Sequence, residues 1–263
     1  MKLSENIFGN IPYKACFYGA VTDSFSEYKS EIEDIEKLRA LLFAFKAGDF
    51  KNINQLVLMV DSPDENVRQY CHQLLAYVCD HKLVDGFRRI LNIDLEINEV
   101  QRVIVRLGET LSLNAIPIIF DIVDEFDDSE LYGFASMALH NIFPWNGIDE
   151  DDFFDSDEKY SYMRAASELD LHDYYYRGST VFIGDVTKEL INAATVSYKE
   201  GKPVVLVRQA QILSNFSGIQ CPIESSVIVS DIEMNAVMDY VKTLARSYEW
   251  KKGIKYFYGH EIS

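Results

Sequence analysis

Val67, Tyr70, Cys71, Leu74, Leu75 and Val78 place apolar side chains at i, i+3, i+4, i+7, i+8 and i+11, one stripe along a helix. Thirty-three residues on, Val100, Val103, Ile104, Leu107, Gly108 and Leu111 repeat the pattern, and 31 further on Leu131, Phe134, Ala135, Ala138, Leu139 and Ile142 repeat it again. A fainter copy lies 32 residues upstream, where Ile35, Leu38, Leu42 and Phe43 match while Arg39 and Lys46 do not. Shorter apolar sets fall between the stripes: Ile53, Val57 and Val60, then Leu83, Phe87 and Ile90, then Ile116, Phe120 and Val123, each at i, i+4, i+7. The spacing predicts a pair of helices every 31 to 33 residues. Start signals agree. Ser62-Pro63-Asp64-Glu65 offers an N-cap, a proline at the first helical position and a glutamate at the third, and Asp127 with Glu130 offers a similar box. One such pair cannot bury its apolar face alone, so neighbours must stack.

Further along, Ser156 to Leu171 and Val186 to Tyr198 read as helices. The run "VVLVRQAQIL" after Gly201-Lys202-Pro203 suits a buried helix or a strand, and its proline start and polar centre favour helix. Ser230 to Glu233 forms another capping box, heading a helix to about Tyr248 with Ile232, Val237, Tyr240, Val241 and Leu244 inward. The expected fold is all-α. Its expected parts are a helical repeat region over 1–145, an acidic connecting segment over 146–160 and a mainly helical region over 161–263, either separate from the first or continuous with it. From roughly Ile32 to Phe143 the chain resembles the HEAT-like repeat proteins, through residues such as "SPDENVRQYCHQLLAYV", where a polar turn with Asp and a Val-Arg pair opens the first repeat helix. The resemblance implies antiparallel helical pairs stacked as a short α-solenoid. Later copies lack the Val-Arg pair.

Composition changes this picture through charge. At 48% hydrophobic and 25% charged residues the chain is of globular type, not disordered. The net charge of −17 is concentrated: between Arg106 and Lys159 no Lys or Arg occurs, and those 52 residues hold 14 carboxylates, leaving −3 for the rest. Such a field repels nucleic acid and anionic membrane and speeds encounter with a basic partner. The N-terminal sequence has no apolar segment behind a basic start, and no stretch nears 18 uninterrupted apolar residues, so a soluble cytoplasmic protein is expected. Cys16, Cys71, Cys79 and Cys221 are expected as free, mostly buried thiols.

Candidate chemistry is sparse. Cys71, His72, Cys79 and His81 are zinc-ligand types, but Cys71 lies on the apolar stripe and no C-x2-C or H-x3-H unit occurs, so no metal is expected. A calcium loop beginning at Asp149 or Asp155 lacks the glycine at its sixth position, and its alternate oxygens break at Phe153 or Lys159. The histidines His72, His81, His140, His172 and His260 join no nucleophile, Walker or dinucleotide pattern, and no cofactor or catalytic residue is nominated. "YYYRGSTVFIGD" at 174–185 reads as an aromatic loop packed on the helices, ahead of a ligand pocket.

The acidic segment itself remains. Asp149, Glu150, Asp151, Asp152, Asp155, Asp157 and Glu158 put seven carboxylates into ten positions, with Phe153 and Phe154 among them and Trp145 just before. Asp121, Asp124, Glu125, Asp127 and Asp128 form a second acidic cluster. A charge run is commonly a solvated linker; aromatic anchors amid carboxylates also suit a protein interface, where rings supply desolvated area and the acids steer and pair with Arg and Lys. In architecture, size and charge the chain resembles the immunity proteins of bacterial polymorphic-toxin systems, including contact-dependent growth inhibition. That resemblance implies stoichiometric neutralisation of a cognate, basic toxin domain such as a nuclease, with carboxylates standing in for phosphates. An adaptor or scaffold is the alternative, and a HEAT-like enzyme is a second.

Overall fold

The computed structural model describes residues 34–144, 156–206 and 208–262. It is mainly α-helical and divides into two compact units, one built on Phe50–Thr180 and the other on Leu42–Asp49 with Val181–Glu261. The helix α1, Asp34–Lys46, is divided between them, its residues to Leu41 in the first and from Leu42 in the second, and it buries Leu38, Leu41, Leu42 and Phe45.

In the first unit the order is α2 (Asn54–Met59), α3 (Glu65–Val78), a 3₁₀ helix (Leu83–Asn92), α4 (Ile97–Glu109), α5 (Ala115–Phe126), a 3₁₀ turn (Ser129–Leu131), α6 (Tyr132–Ile142), α7 (Ser156–Ser167) and a hairpin of β1 (Tyr175–Tyr176) and β2 (Ser179–Thr180). The helices that carry the long stripes, α3, α4 and α6, pack in succession. The shorter elements α2, the 3₁₀ helix, α5 and α7 also pack in succession, each on its neighbour. The stripes therefore become a shared core: Val67, Cys71, Leu74, Leu75 and Val78 of α3, Val100, Val103, Ile104 and Leu107 of α4, and Leu131, Ala135, Ala138, Leu139 and Ile142 at α6 are all buried.

Two positions of the long stripes depart from expectation, Tyr70, which is only half-buried, and Phe134. Phe134 is 36% exposed, because α6 approaches α4 through its small residues. A Cβ on Gly108 would lie 2.8 Å from the Ala138 Cα, so the missing side chain lets the two backbones meet and leaves no depth for a ring. The 3₁₀ helix also shifts its stripe. Val84, Phe87 and Ile90 are buried at a spacing of three, the period of a 3₁₀ turn, and Leu83 is only half-buried.

The caps fall later than the sequence suggests. Asp64, not Ser62, caps α3, accepting from the Asn66 and Val67 N–H groups at 2.8 and 3.2 Å. Asp127 ends α5 in the left-handed region (φ 44), and it is Asp128 that accepts from the Glu130 N–H at 2.8 Å.

The second unit holds α8 (Ile183–Glu200), α9 (Gln209–Ser217), α10 (Asp231–Ser247) and a hairpin of β3 (Tyr256–Phe257) and β4 (His260–Glu261). Helix α8 packs on both α9 and α10. The run 204–213, expected as a helix from its proline start, is extended over 204–206 and becomes helical from Gln209, in α9. The Val204 N–H donates to the Val227 carbonyl at 2.7 Å and the Ser226 N–H to the Val204 carbonyl at 3.0 Å. Val204 and Leu206 are buried while Val205 is exposed, the two-residue period of a pleated strand. The capping box at Ser230 and Glu233 forms as predicted and heads α10, whose Val237, Tyr240 and Leu244 are buried. Ile232 is not inward: it sits in the first turn and is 78% exposed.

Candidate functional site

The residues Trp145, Asp149, Glu150, Asp151, Asp152, Phe153, Phe154 and Asp155 lie outside the described residues. The described part of the acidic surface is built on α5 and α7. Asp157 and Glu158 occupy the first turn of α7, where carboxylates are favoured by the unpaired N–H groups and positive dipole end of the helix. Helix α7 is held by its own next residues. Lys159 forms an ion pair with Asp124 of α5, and its ammonium sits 5.2 Å from the centre of the Phe120 ring. One turn further, Tyr162 is fully buried, edge-on to Phe120, and donates its hydroxyl to the Phe143 carbonyl at 2.6 Å. The α7 end of the first acidic cluster is therefore joined to the second cluster through Lys159.

Within the second cluster the residues have different tasks. Asp121 is half-buried and pairs with Arg88, which also bonds Asp85 at 2.7 Å; these bonds raise the Arg88 pKa against the opposing cost of its partial burial. Asp127 and Asp128 build the turn between α5 and α6. Glu125 and Glu130 are exposed. Two apolar side chains not singled out in the sequence also stand outward on α7: Tyr160 at 70% exposure and Met163 at 37%. The signal was available, since Tyr162 faces inward and residues two before or one after it on a helix turn away.

The other candidates resolve into structural roles. The Cys71 thiol donates to the Leu56 carbonyl at 2.9 Å, and burial pushes its pKa far up. His72 donates from Nε2 to the Val60 carbonyl at 2.8 Å, and its burial lowers its pKa to about 4, so it is neutral at pH 7. His81 meets the Ser112 hydroxyl through Nδ1 at 2.8 Å and donates from Nε2 to the His172 carbonyl at 3.2 Å. Its ring stacks on Tyr174 at 4.0 Å. Among the described residues no three of His, Cys, Asp and Glu gather as a metal site, and no helix is long and apolar enough to cross a membrane. Tyr174, Tyr175 and Tyr176 are all buried, so the aromatic loop packs inward as part of the first hairpin.

Neither curated proteins nor solved structures returned a match to the chain. A family model does match, and it spans both compact units and the acidic segment alike. Residues 10–262 match the family described as Immunity protein 47, and the chain belongs to that family of non-catalytic immunity proteins.

Proposed function

We propose that the protein neutralises its toxin by binding a basic face of it, in the cytoplasm, through the acidic surface of the α5–α7 region and the adjoining segment Asp149–Asp155. The observation that carries this is the 52-residue window from 107 to 158, with 14 carboxylates and no Lys or Arg, in a chain whose remainder is close to neutral. Lys159, the first basic residue after the window, pairs with Asp124 and so offsets one of these carboxylates, leaving most of the acidic field to a partner. Carboxylates so arranged compete for cationic side chains that would otherwise hold phosphate, which suits a nuclease toxin. Trp145, Phe153 and Phe154 would act as anchors, and the exposed Tyr160 ring of α7 would add a further one. The succession of α3, α4 and α6 against α2, the 3₁₀ helix, α5 and α7 supports a short HEAT-like stack as the rigid carrier.

The test is co-purification with the toxin domain encoded beside the gene, followed by kinetics at several salt concentrations. Association should slow as salt rises, and Glu125→Gln with Glu158→Gln should slow it further without altering the fold. Association that ignores salt and these substitutions would move the interface to another surface.

A further inference from the structure

The two units end in the same construction, and we infer that the chain contains two copies of one module, three helices closed by a tyrosine hairpin, running over α5–α6–α7–β1–β2 and over α8–α9–α10–β3–β4. In the first copy the turn residues Arg177 and Gly178 both have positive φ, 51 and 77. In the second, Tyr258 and Gly259 have 53 and 81. These pairs define a two-residue hairpin turn of the type that matches strand twist and favours glycine second. Its two central N–H groups take no part in the hairpin ladder, and the last carbonyls of a helix take no part in the helix ladder. Each copy joins the two sets. Arg177 and Gly178 donate to the carbonyls of Asn141 and Ile142 at 2.8 and 2.9 Å; Tyr258 and Gly259 donate to those of Asn215 and Phe216 at 2.9 and 2.6 Å. The acceptors are the final turn of α6 and of α9, and the first of each pair is a buried asparagine.

Two further bonds recur. Tyr175 accepts at its hydroxyl from the Asp170 N–H, five residues earlier, at 3.1 Å, and Tyr256 accepts from the Lys251 N–H, again five residues earlier, at 3.0 Å. A buried tyrosine on the next helix donates to a carbonyl at or just past the end of the same acceptor helix: Tyr162 to Phe143, Tyr240 to Ile219 at 3.1 Å. Register agrees with geometry. Asn141 to Ser156-Asp157 and Asn215 to Ser230-Asp231 are equal intervals, offset by 74, and the hairpins are offset by 81. The seven added residues, about two helical turns, fall in the region of the longer α10 and preserve the face it presents.

What lies between the shared parts differs. The connector after Ile142 carries Asp149, Glu150, Asp151, Asp152 and Asp155, whereas that after Phe216 has Glu224 as its one carboxylate, among Ile219, Ile223, Val227, Ile228 and Val229. The closed frame is constant and the connector is free to change chemistry, so each hairpin acts as the latch of its own module.

Hydrogen exchange on the full-length protein tests this. In the unmodified chain the amides of Arg177, Gly178, Tyr258 and Gly259 should all be protected, although they are turn residues. Tyr175→Phe should speed exchange at Asp170, Arg177 and Gly178 about fivefold, the loss of one ordinary hydrogen bond, and leave the second hairpin unchanged; Tyr256→Phe should do the converse. Unprotected turn amides in the unmodified protein, or a single substitution that opens both hairpins equally, would overturn the inference.

Discussion

The hairpins of the two units share their turn, their asparagine docking and their tyrosine bond, yet the surfaces beside them have opposite chemistry. At the start of α7 Asp157 and Tyr160 are exposed and Glu158 is half-buried, beside Lys159, which pairs with Asp124 of α5. At the matching start of α10 the residue two places after the serine is Ile232, and the extended segments before it expose Val205 and Ile228. Since one frame tolerates either surface, the acids at 149–158 are not a requirement of folding. Backbone hydrogen bonds that close each module are indifferent to what the connector carries.

The units also differ in how they are held, and substitutions separate them. The largest effect is expected at Gly108, where any side chain enters the Ala138 backbone. Gly108→Val should cost roughly 3 kcal/mol or more, read as a fall in Tm, with exchange protection lost over 97–142 before 183–261.

Acid should discriminate next. His72 has its pKa lowered from 6.5 to about 4 in the folded first unit, so the unfolded chain takes up the proton first as pH falls. Stability should therefore be full above pH 6.5, decline between pH 6.5 and 4, and lose nothing more from this group below; the total is on the order of 3 kcal/mol. Urea midpoints across that window check it. His72→Gln should flatten the decline.

A smaller pair of changes compares equivalent tyrosines. Tyr162→Phe removes the hydroxyl donor to the Phe143 carbonyl and Tyr240→Phe removes the closer of two donors to the Ile219 carbonyl, the Ser217 hydroxyl at 3.3 Å being the other, so each should cost about 1 to 2 kcal/mol in equilibrium unfolding. If only one does, the two modules are not closed alike. Smallest in stability is Tyr160→Ala, expected within about 0.5 kcal/mol because the ring is exposed. Its effect belongs in toxin dissociation, which should quicken, while Glu158→Gln should act on association; surface plasmon resonance distinguishes the two.

Helical periodicity was legible because burial of one stripe dictates it: the stripes of α3 and α4, the box at Ser230 and the all-α class are readable in order along the chain. The acidic window was equally plain, being a count of charges. Three features were not legible locally. Phe134 turns outward only because Gly108 and Ala138 draw two helices together, and nothing near Phe134 records that approach. Val204 to Leu206 is extended because Ser226 and Val227 supply partners some twenty residues away. The second tyrosine hairpin, at 256–261, is likewise hidden in the sequence because its likeness to 174–180 lies in backbone bonds more than in letters.

The amino-acid order by itself determined which faces are apolar and where negative charge accumulates, since both are sums over nearby side chains. Tertiary structure decided which of those charges are paired, as Asp121 with Arg88 and Asp124 with Lys159, and which helix ends the hairpins close. Those outcomes depend on groups distant in sequence meeting at hydrogen-bond range, and chain order alone does not encode that distance.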